Sequence, residues 1–351
     1  LKTEGNFNNL IGLPLTLLRM RSGDTAAVLE LGTNTPGEIA RLARMARPDI
    51  ALITNIGLAH LAGFTNLAGV AAEKRDLFRE LPATGTMIVN QDDPFLRDAG
   101  RDWRGGIVTF GMHAAADVYA DGIIPVPVSG AGAAGQDGTG EKYRPETRFT
   151  LHLGEERQEI TMSVAGEHQI VNALAAAAST WAAGANREEI VMGLGGFIPP
   201  PGRMEIISLA GGAFVINDAY NANPSSVREA LRTLQQIKGR GRSVAVLGDM
   251  LELGPGEGTW HEEIGGLLAD TGVTRVYLRG RLSGATAAGA SKRGLPAAAI
   301  IVADDQEEIA RDLRSYLRAG DWVLVKGSRR LEMDKVTAAL RRIYGQEGGG
   351  G

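Results

Sequence analysis

A carboxylate, an imidazole and an amine fall near the ends of predicted elements in the first quarter of the sequence. Glu30 lies in the apolar run "TAAVLELG" (25–32), His60 follows the buried run "IALITNIG" (50–57), and Lys74 lies in the next helical segment. A carboxylate and an imidazole at one crevice suit a hard divalent cation whose other ligands are water and phosphate. The alternatives stay open, because a lone histidine often packs or caps locally and a helix lysine is ordinarily solvated.

A second group of polar residues ends the stretch "VINDAYNANPSS" (215–226), which opens with strand-forming residues. In parallel α/β sheets, ligands bind at the carboxyl ends of the strands. The crowding of polar side chains at the end of a buried strand therefore predicts a ligand there. The side chains concerned are Asp218, Tyr220, Asn221 and Asn223.

Three further places offer charged or polar groups, each with an ordinary alternative. Arg203 directly follows three prolines, where it could reach a phosphate or simply be a surface residue. Asp249 in "GDMLELG" could bind a substrate amine or cap a helix. Lys326, Ser328 and Arg329 in "VKGSRRLEMD" could hold an anionic group or form a solvated helix start.

The elements that must position these groups alternate between strands and helices. This alternation predicts a parallel sheet covered by helices on both faces, with the polar residues at the strand ends. In the first half the predicted strands are 25–32, 50–57 and 85–94, and the predicted helices are 36–47 and 66–81. Further on, the composition predicts a mobile Gly-rich loop over 128–142, a hairpin over 148–164 and an Ala-rich helix over 168–184.

Three consecutive prolines in "GGFIPPPGRME" (195–205) mark the domain boundary, because they stiffen the chain and exclude helix. After them the strand–helix pattern restarts and continues almost to the C-terminus. The predicted fold class is α/β, with a central parallel-sheet domain over residues 1–199. A C-terminal, doubly wound, Rossmann-like domain covers 200–351 and has a common domain size.

Composition excludes several classes of protein. The net charge is −4, so there is no bulk electrostatic case for nucleic acid or an anionic membrane surface. There are no cysteines, which excludes disulfides and Cys-based zinc sites. No segment approaches the ~20 apolar residues of a membrane span, and the N-terminus has no apolar signal-peptide region. We therefore expect a cytoplasmic protein.

The sequence lacks the common nucleotide-binding motifs, so the residues alone do not identify the reaction. The sequence contains no G-x-x-x-x-G-K-[ST] and no convincing G-x-G-x-x-G after a strand. Residue 1 lies in what reads as the end of a strand running into a polar loop, so we expect that an N-terminal part is missing. The residues by themselves indicate a two-domain α/β enzyme that binds an anionic ligand with a divalent metal, and they leave the reaction open.

Several stretches, in this order, resemble the Mur ligase family of peptidoglycan synthesis. The resemblance runs from residue 3 to residue 328 and is strongest for the type that adds D-alanyl-D-alanine. In this family a uridine-diphosphate-binding domain and a P-loop come first, and this sequence has neither, which puts ATP hydrolysis by the chain as given in doubt. The matching stretches are "TEGNFNNLIGLPLTLL", "AVLELGTNTPGEIARLA", "TNIGLAHL", "AAEKRDLF", "VNQDDP", "GEHQIVNALAAAA", "PGRMEI", "INDAYNANPSS", "AVLGDMLELG" and "VLVKGSR".

The resemblance implies an ATPase-type central domain, truncated at its N-terminus, and an ATP-dependent amide ligase. It implies that ATP phosphorylates the carboxylate of UDP-N-acetylmuramoyl-tripeptide and that the amine of D-alanyl-D-alanine attacks the acyl phosphate. Glu30 and His60 match positions that serve Mg²⁺, and Lys74 matches a lysine that the family carbamylates with carbon dioxide. An ammonium beside Mg²⁺ would be repelled, whereas a carbamate is an anion. We expect a monomer with no nucleic-acid partner.

The resemblance also assigns roles to the remaining candidates. On the nucleotide side, Asp218 matches a ribose contact, Arg203 a phosphate contact and Asn172 an adenine contact. His168 lies just before Asn172. Asn221 and Asn223 match adjacent nucleotide-side contacts, and Tyr220 supports the turn that carries them. The residues matching the muramoyl-substrate motif are Thr3, Asn6, Asn8 and Asn9, and those matching the dipeptide side are Asp249, Lys326, Ser328 and Arg329.

Two competing interpretations stay open. One is another ligase of the same superfamily, of the diaminopimelate-adding or folylpolyglutamate type, against which "NANPSS" and "VKGSR" argue. The other is a non-catalytic nucleotide-binding fragment, which the missing P-loop supports.

Overall fold

The computed structural model describes residues 1–58, 61–126 and 145–345. His60 and the Gly-rich stretch 128–142 lie outside the described residues. The first part of the chain contains the helices α1 (Gly12–Leu17), α2 (Glu38–Ala46), α3 (Leu61–Phe64), α4 (Leu67–Arg79), α5 (Glu167–Ala182) and α6 (Arg187–Gly195), and the strands β1 (Ile50–Ile53), β2 (Thr86–Asn90), β3 (Gly106–Gly111), β4 (Val118–Val126), β5 (Glu146–Leu153) and β6 (Glu156–Met162).

The second part alternates short strands with helices. It contains the strands β7 (Glu205–Ser208), β8 (Phe214–Asp218), β9 (Ser243–Gly248), β10 (Arg275–Arg279), β11 (Ile300–Val302) and β12 (Trp322–Lys326), the helices α7 (Pro224–Ile237), α8 (Glu257–Asp270), α9 (Ser283–Lys292), α10 (Gln306–Tyr316) and α11 (Asp334–Gly345), and 3₁₀ turns at Gly254–Gly256, Ala297–Ala299 and Arg329–Leu331.

The first sheet has the strand order β1-β2-β3-β4-β5-β6, and β1 to β4 pair in parallel. Two residues join β5 to β6, and Gly154 adopts a φ of +57° there, so the predicted hairpin is present. Side chains of β1, β2 and α4 form the local core, among them Ile53, Val89 and Phe78. This core fixes α4, which carries Lys74, against the parallel strands.

The second sheet has the order β11-β10-β9-β12-β8-β7, in which only the edge strand β7 is antiparallel among the pairings. Every residue of β9 is buried, as a central strand covered on both faces requires. Helices α7, α8 and α9 pack on one face, and α10 and α11 on the other. The prediction of an α/β fold with a doubly wound C-terminal half is thus confirmed.

Some predicted elements differ from those observed. Residues 25–32 form no strand: Val28 makes one isolated parallel bridge to Lys2, and its side chain is 73% exposed. The prediction of a buried strand there was wrong. Among the described residues this segment makes only the single bridge, and no layer of side chains packs over Val28. Several observed elements were not predicted: α1, α3, α6, β3 and β4 in the first part of the chain, and β7, α9 and β11 in the second.

The chain folds as two compact units. The first unit comprises residues 1–121, 150–159 and 170–194, and the second comprises 122–149, 160–169 and 195–351. The domain boundary placed between residues 199 and 200 stays a prediction. None of the described helices combines the length and the apolar character that crossing a membrane demands.

Candidate functional site

In the first unit, three of the predicted residues meet at Glu30. Asn8 Nδ2 donates to Glu30 Oε1 at 2.8 Å, and the Glu30 amide donates to Thr3 Oγ1 at 2.9 Å. Gly32 allows this approach, since a Cβ there would lie 2.9 Å from the Asn8 side chain. The result is an exposed carboxylate held in one orientation, with Oε2 unbonded among the described residues.

Asn6 and Asn9, the other two residues predicted to meet the muramoyl substrate, differ in their contacts. Asn9 Oδ1 accepts hydrogen bonds from the amides of Ile11 and Gly12 at 3.0 and 2.9 Å, so it caps α1. Asn6 is exposed. The substrate role of both residues stays a prediction, and Asn9 has a structural role besides.

Lys74 is partly buried on α4. Its Nζ donates to the carbonyl oxygen of Asn55 at 2.9 Å. Burial lowers the pKa of Lys74, and the negative charge of Asp93 opposes this shift. Asp93 is itself buried and accepts from the amides of Ile56 and Phe95 at 2.6 and 2.8 Å. The structure therefore holds a desolvated amine next to the end of β1.

Sequence reasoning missed the residue before Lys74. Glu73 is 5% exposed and accepts from the amides of Gly37 and Ile39 at 2.7 and 2.8 Å and from Thr33 Oγ1 at 3.2 Å. It ties the loop that follows Glu30 to the helix of Lys74. A signal existed, because Glu73 lies three residues after the buried Val70 and so on the buried face of α4.

The Mg²⁺ site proposed from the sequence is only partly described. His60, one of its ligands, lies outside the described residues. Within the described ranges there is no group of three or more His, Cys, Asp or Glu side chains that could hold a metal ion. The metal roles of Glu30, His60 and Lys74 stay predictions.

In the second unit, Asp218 and Lys326 form a buried ion pair. They are register partners on the parallel strands β8 and β12, so their side chains start side by side. Lys326 Nζ lies 2.5 Å from Asp218 Oδ2 and donates to the Asn221 carbonyl at 3.0 Å. Asp218 Oδ1 accepts from the Met204 amide at 3.2 Å. Residues assigned to the nucleotide and to the dipeptide thus neutralise each other.

The stretch after Asp218 folds back on itself. Asn223 Oδ1 accepts from the Ser226 amide at 2.8 Å, and Ser226 Oγ accepts from the Asn223 amide at 3.0 Å, which is a capping box at the start of α7. Pro224 occupies the first helical turn. Asn221 Oδ1 accepts from the Ala222 amide at 2.9 Å. The polar crowding in the sequence is therefore partly a helix start.

Two arginines from separate stretches of the chain lie over the ring of Tyr220. The Cζ atom of Arg203 is 4.0 Å from the ring centroid and that of Arg329 is 5.7 Å from it. The Tyr220 amide donates to the Gly202 carbonyl at 3.0 Å. Both arginines are exposed, so their guanidinium groups are accessible to an anion.

Asp249 and Ser328 are buried and serve neighbouring loops. Both carboxylate oxygens of Asp249 accept from the Leu282 amide at 3.2 Å, at the start of α9. Ser328 Oγ accepts from the Leu251 amide at 2.8 Å, and the Ser328 amide donates to the Asp249 carbonyl. A dipeptide that bound Asp249 or Ser328 would have to replace these contacts. The contacts to neighbouring loops are observed, and the substrate roles of both residues stay predictions.

His168 and Asn172 lie on the first turns of α5. Burial is the main factor that lowers the pKa of His168, against the carboxylates of Asp218 and Glu229. Nδ1 of His168 is buried without a hydrogen-bond partner among the described residues. Asn172 is exposed. The geometry thus presents a neutral imidazole and an accessible amide, and their nucleotide roles stay predictions.

Comparison with known proteins shows which family the chain matches. The Mur ligase middle domain matches residues 1–180, and the "Mur ligase, glutamate ligase domain" matches residues 202–329. The UDP-N-acetylmuramoyl-tripeptide–D-alanyl-D-alanine ligase of Bacillus subtilis is 33% identical over 97% of this chain and 69% of its own length. The ligase of the same name from Escherichia coli is 35% identical over 97% of this chain and 71% of its own length.

Solved structures agree with the sequence relatives. The crystal structure of MurF from Acinetobacter baumannii has a TM-score of 0.83 and 30% identity and covers 97% of this chain and 70% of its own. MurF from Thermotoga maritima in complex with ADP has a TM-score of 0.83 and 25% identity and covers 99% of this chain and 74% of its own. From the two domain matches and these relatives, which match nearly all of this chain, we conclude that the chain belongs to the Mur ligase family.

Proposed function

We propose that this protein is an ATP-dependent ligase that joins D-alanyl-D-alanine to UDP-N-acetylmuramoyl-tripeptide in the cytoplasm. The observation that carries the proposal is the arrangement in the first unit. An oriented carboxylate, Glu30, precedes a loop that Glu73 ties to the helix of the desolvated Lys74. The names of the Bacillus subtilis and Escherichia coli relatives support the choice of substrates.

The proposed reaction has two steps. The substrate carboxylate oxygen attacks the γ-phosphorus of ATP, the bond to the β-phosphate oxygen breaks, and ADP leaves. The amine of D-alanyl-D-alanine then attacks the acyl carbon, the bond from this carbon to the phosphate oxygen breaks, and the amine loses a proton. Both steps depend on positioning and charge neutralisation more than on a covalent protein group.

Mg²⁺ fits the donors that the first unit offers. Glu30 presents one oxygen oriented by Asn8 and a second without a protein partner among the described residues, and carboxylate oxygens suit this ion. Glu30, His60 and a carbamate on Lys74 would hold it. When bound, Mg²⁺ supplies positive charge against the phosphate oxygens. Asn8 keeps the carboxylate in place, and the Thr3 contact fixes the backbone beneath it.

We propose that Lys74 carries a carbamate in the active protein. The ammonium first loses a proton, and the neutral amine then attacks the carbon of carbon dioxide. A nitrogen–carbon bond forms, one carbon–oxygen π bond opens to a carboxylate and a second proton is released, so the side chain changes from cation to anion. The lowered pKa of Lys74 increases the fraction of neutral amine at a given pH. The Asn55 carbonyl, 2.9 Å from Nζ, can accept the remaining N–H of the carbamate.

We also propose nucleotide contacts for three of the candidates named from the sequence. Arg203 would contact phosphate and Asn172 would contact adenine, since both side chains are exposed. Asp218 would accept from ribose while paired with Lys326, because its side chain keeps 14% exposure.

The proposed function is tested by the dependence of turnover on each substrate in the purified protein. Release of ADP and phosphate should require both the muramoyl tripeptide and D-alanyl-D-alanine, and mass spectrometry should find the pentapeptide product. Turnover with a diamino acid or glutamate in place of D-alanyl-D-alanine would indicate another branch of the family. Nucleotide binding without any turnover would indicate a non-catalytic relative.

A further inference from the structure

The ring of Tyr220 carries two guanidinium groups that come from different strand ends. Arg203 precedes β7 and lies 4.0 Å from the ring centroid, and Arg329 follows β12 and lies 5.7 Å from it. The two groups cannot be further apart than the sum of these distances. A tyrosine ring attracts a cation over its face, and so it can hold both arginines near one place.

Backbone contacts fix both arginines at this ring. Gly202 adopts a φ of +74°, and its carbonyl accepts from the Tyr220 amide at 3.0 Å, so Arg203 leaves the chain directly beside the ring. Met204, the next residue, donates its amide to Asp218. On the other side Ser328 is bound by the Leu251 amide, which fixes the backbone from which Arg329 extends.

The two cations are poorly neutralised by the protein. No described carboxylate forms an ion pair with Arg203. Arg329 approaches Asp334 only to 3.8 Å, and both of these side chains are largely exposed, so the pair contributes little. Two like charges at one ring repel each other, and an oxyanion between them would remove this repulsion. Guanidinium groups suit phosphate because they donate two parallel hydrogen bonds.

We propose that Arg203 and Arg329, held by Tyr220, form one binding site for a phosphate group of the nucleotide. This proposal rests on the proposed function and moves Arg329 from the dipeptide side, where the resemblance placed it, to the phosphate side. Tyr220 is a positioning residue that keeps both guanidinium groups at the anion.

The test compares ADP with adenosine by calorimetric titration of the purified protein. Arg329→Ala should weaken ADP binding roughly tenfold, the usual effect of losing one charged hydrogen-bond donor, and leave adenosine binding unchanged. Arg330→Ala is the matched control, since Arg330 is the adjacent exposed arginine and stacks on no aromatic ring among the described residues, and it should change neither. Tyr220→Phe should bind like the unaltered protein, and Tyr220→Leu like Arg329→Ala.

The outcomes separate the two levels of the proposal. If Arg329→Ala and Arg330→Ala bind ADP equally well, or if Arg329→Ala raises only the KM for D-alanyl-D-alanine, the shared phosphate site is wrong and the proposed function stands. If the unaltered protein binds no ADP, the proposed function and this inference both fail. If Tyr220→Leu weakens ADP binding and Tyr220→Phe does not, the result supports the role of the ring.

Discussion

Replacing Lys326 by methionine should show that this lysine stabilises the C-terminal sheet. Its side chain is 3% exposed and its Nζ contacts Asp218 Oδ2 at 2.5 Å and the Asn221 carbonyl at 3.0 Å. Methionine keeps most of the length and apolar volume of lysine but removes the charge and the donors. The variant therefore leaves a carboxylate without its counter-charge in a largely buried place.

The expected loss follows from what remains around the carboxylate. Removing one partner of a buried ion pair costs about 3–5 kcal/mol. Asp218 keeps 14% exposure and the hydrogen bond from the Met204 amide, so water and this amide partly compensate the unpaired charge. We expect a loss near the lower limit, about 3 kcal/mol of unfolding free energy. Adding Asp218→Asn removes the second charge, so the double variant should lose about 2 kcal/mol less than the sum of the single variants.

The assay is urea unfolding followed by tryptophan fluorescence, to which Trp322, buried on the same strand, contributes. Lys335→Met is the matched control, because Lys335 is exposed and pairs with Glu332 one helical turn away. It should unfold at the same urea concentration as the unaltered protein. A loss below about 1 kcal/mol for Lys326→Met, or additive single variants, would contradict the buried-pair argument.

Three further changes probe the first unit. Glu30→Ala should lower ligation at least about 100-fold, as for the loss of one group that stabilises transition-state charge, while the unfolding midpoint stays constant; near-normal turnover at ordinary Mg²⁺ would contradict the assignment. Lys74→Ala should be nearly inactive and partly restored by acetate, whereas Lys74→Arg should stay inactive, and ligation by Lys74→Arg at the unaltered rate would exclude the carbamate. Because burial lowers the pKa of Lys74, the folded state binds fewer protons than the unfolded chain between the two pKa values; unfolding free energy should therefore rise with pH in that window, and Lys74→Met should remove this slope. Glu73→Ala should lose about 3 kcal/mol in thermal unfolding, since two amide donors lose their acceptor, while Glu80→Ala on the same helix should change little.

The strand–helix alternation was enough to predict most of the second sheet. The elements that it missed, β7, β11 and α9, leave only a weak pattern in the sequence. Strand β7 has four residues and β11 has three, which is too short for a period to show. Helix α9 reads "SGATAAGASK", without an apolar stripe. It packs closely on α8 through glycines: a Cβ on Gly265 would lie 2.0 Å from the Thr286 carbonyl oxygen, and one on Gly289 would lie 1.8 Å from that of Glu262. Close backbone packing of this kind leaves no hydrophobic pattern to find.

The sequence predicted where the polar residues of the candidate site lie better than it predicted which residues they contact. The ends of β8 and β12 were correctly expected to carry polar groups, yet the sequence could not show that Lys326 faces Asp218 across 108 residues of chain. That contact depends on strand order and register, which only the fold fixes. Glu73 was missed for another reason. Its place on the buried face of α4 was readable from the sequence, but its main partners are the backbone amides of Gly37 and Ile39, which no residue type marks.

Stability and anion binding are coupled in the second unit through the residues that flank Tyr220. The buried pair of Lys326 and Asp218 neutralises itself, so it offers no free charge to a phosphate, and this capacity belongs to the exposed Arg203 and Arg329. The same pair nevertheless holds both sides of the ring, because Asn221 accepts from Lys326 and the Met204 amide donates to Asp218. Loss of Lys326 should therefore lower both the unfolding free energy and the affinity for ADP, whereas loss of Arg329 should lower the affinity alone. Equal ADP affinity in Lys326→Met and the unaltered protein would show that the loop keeps its conformation without the pair.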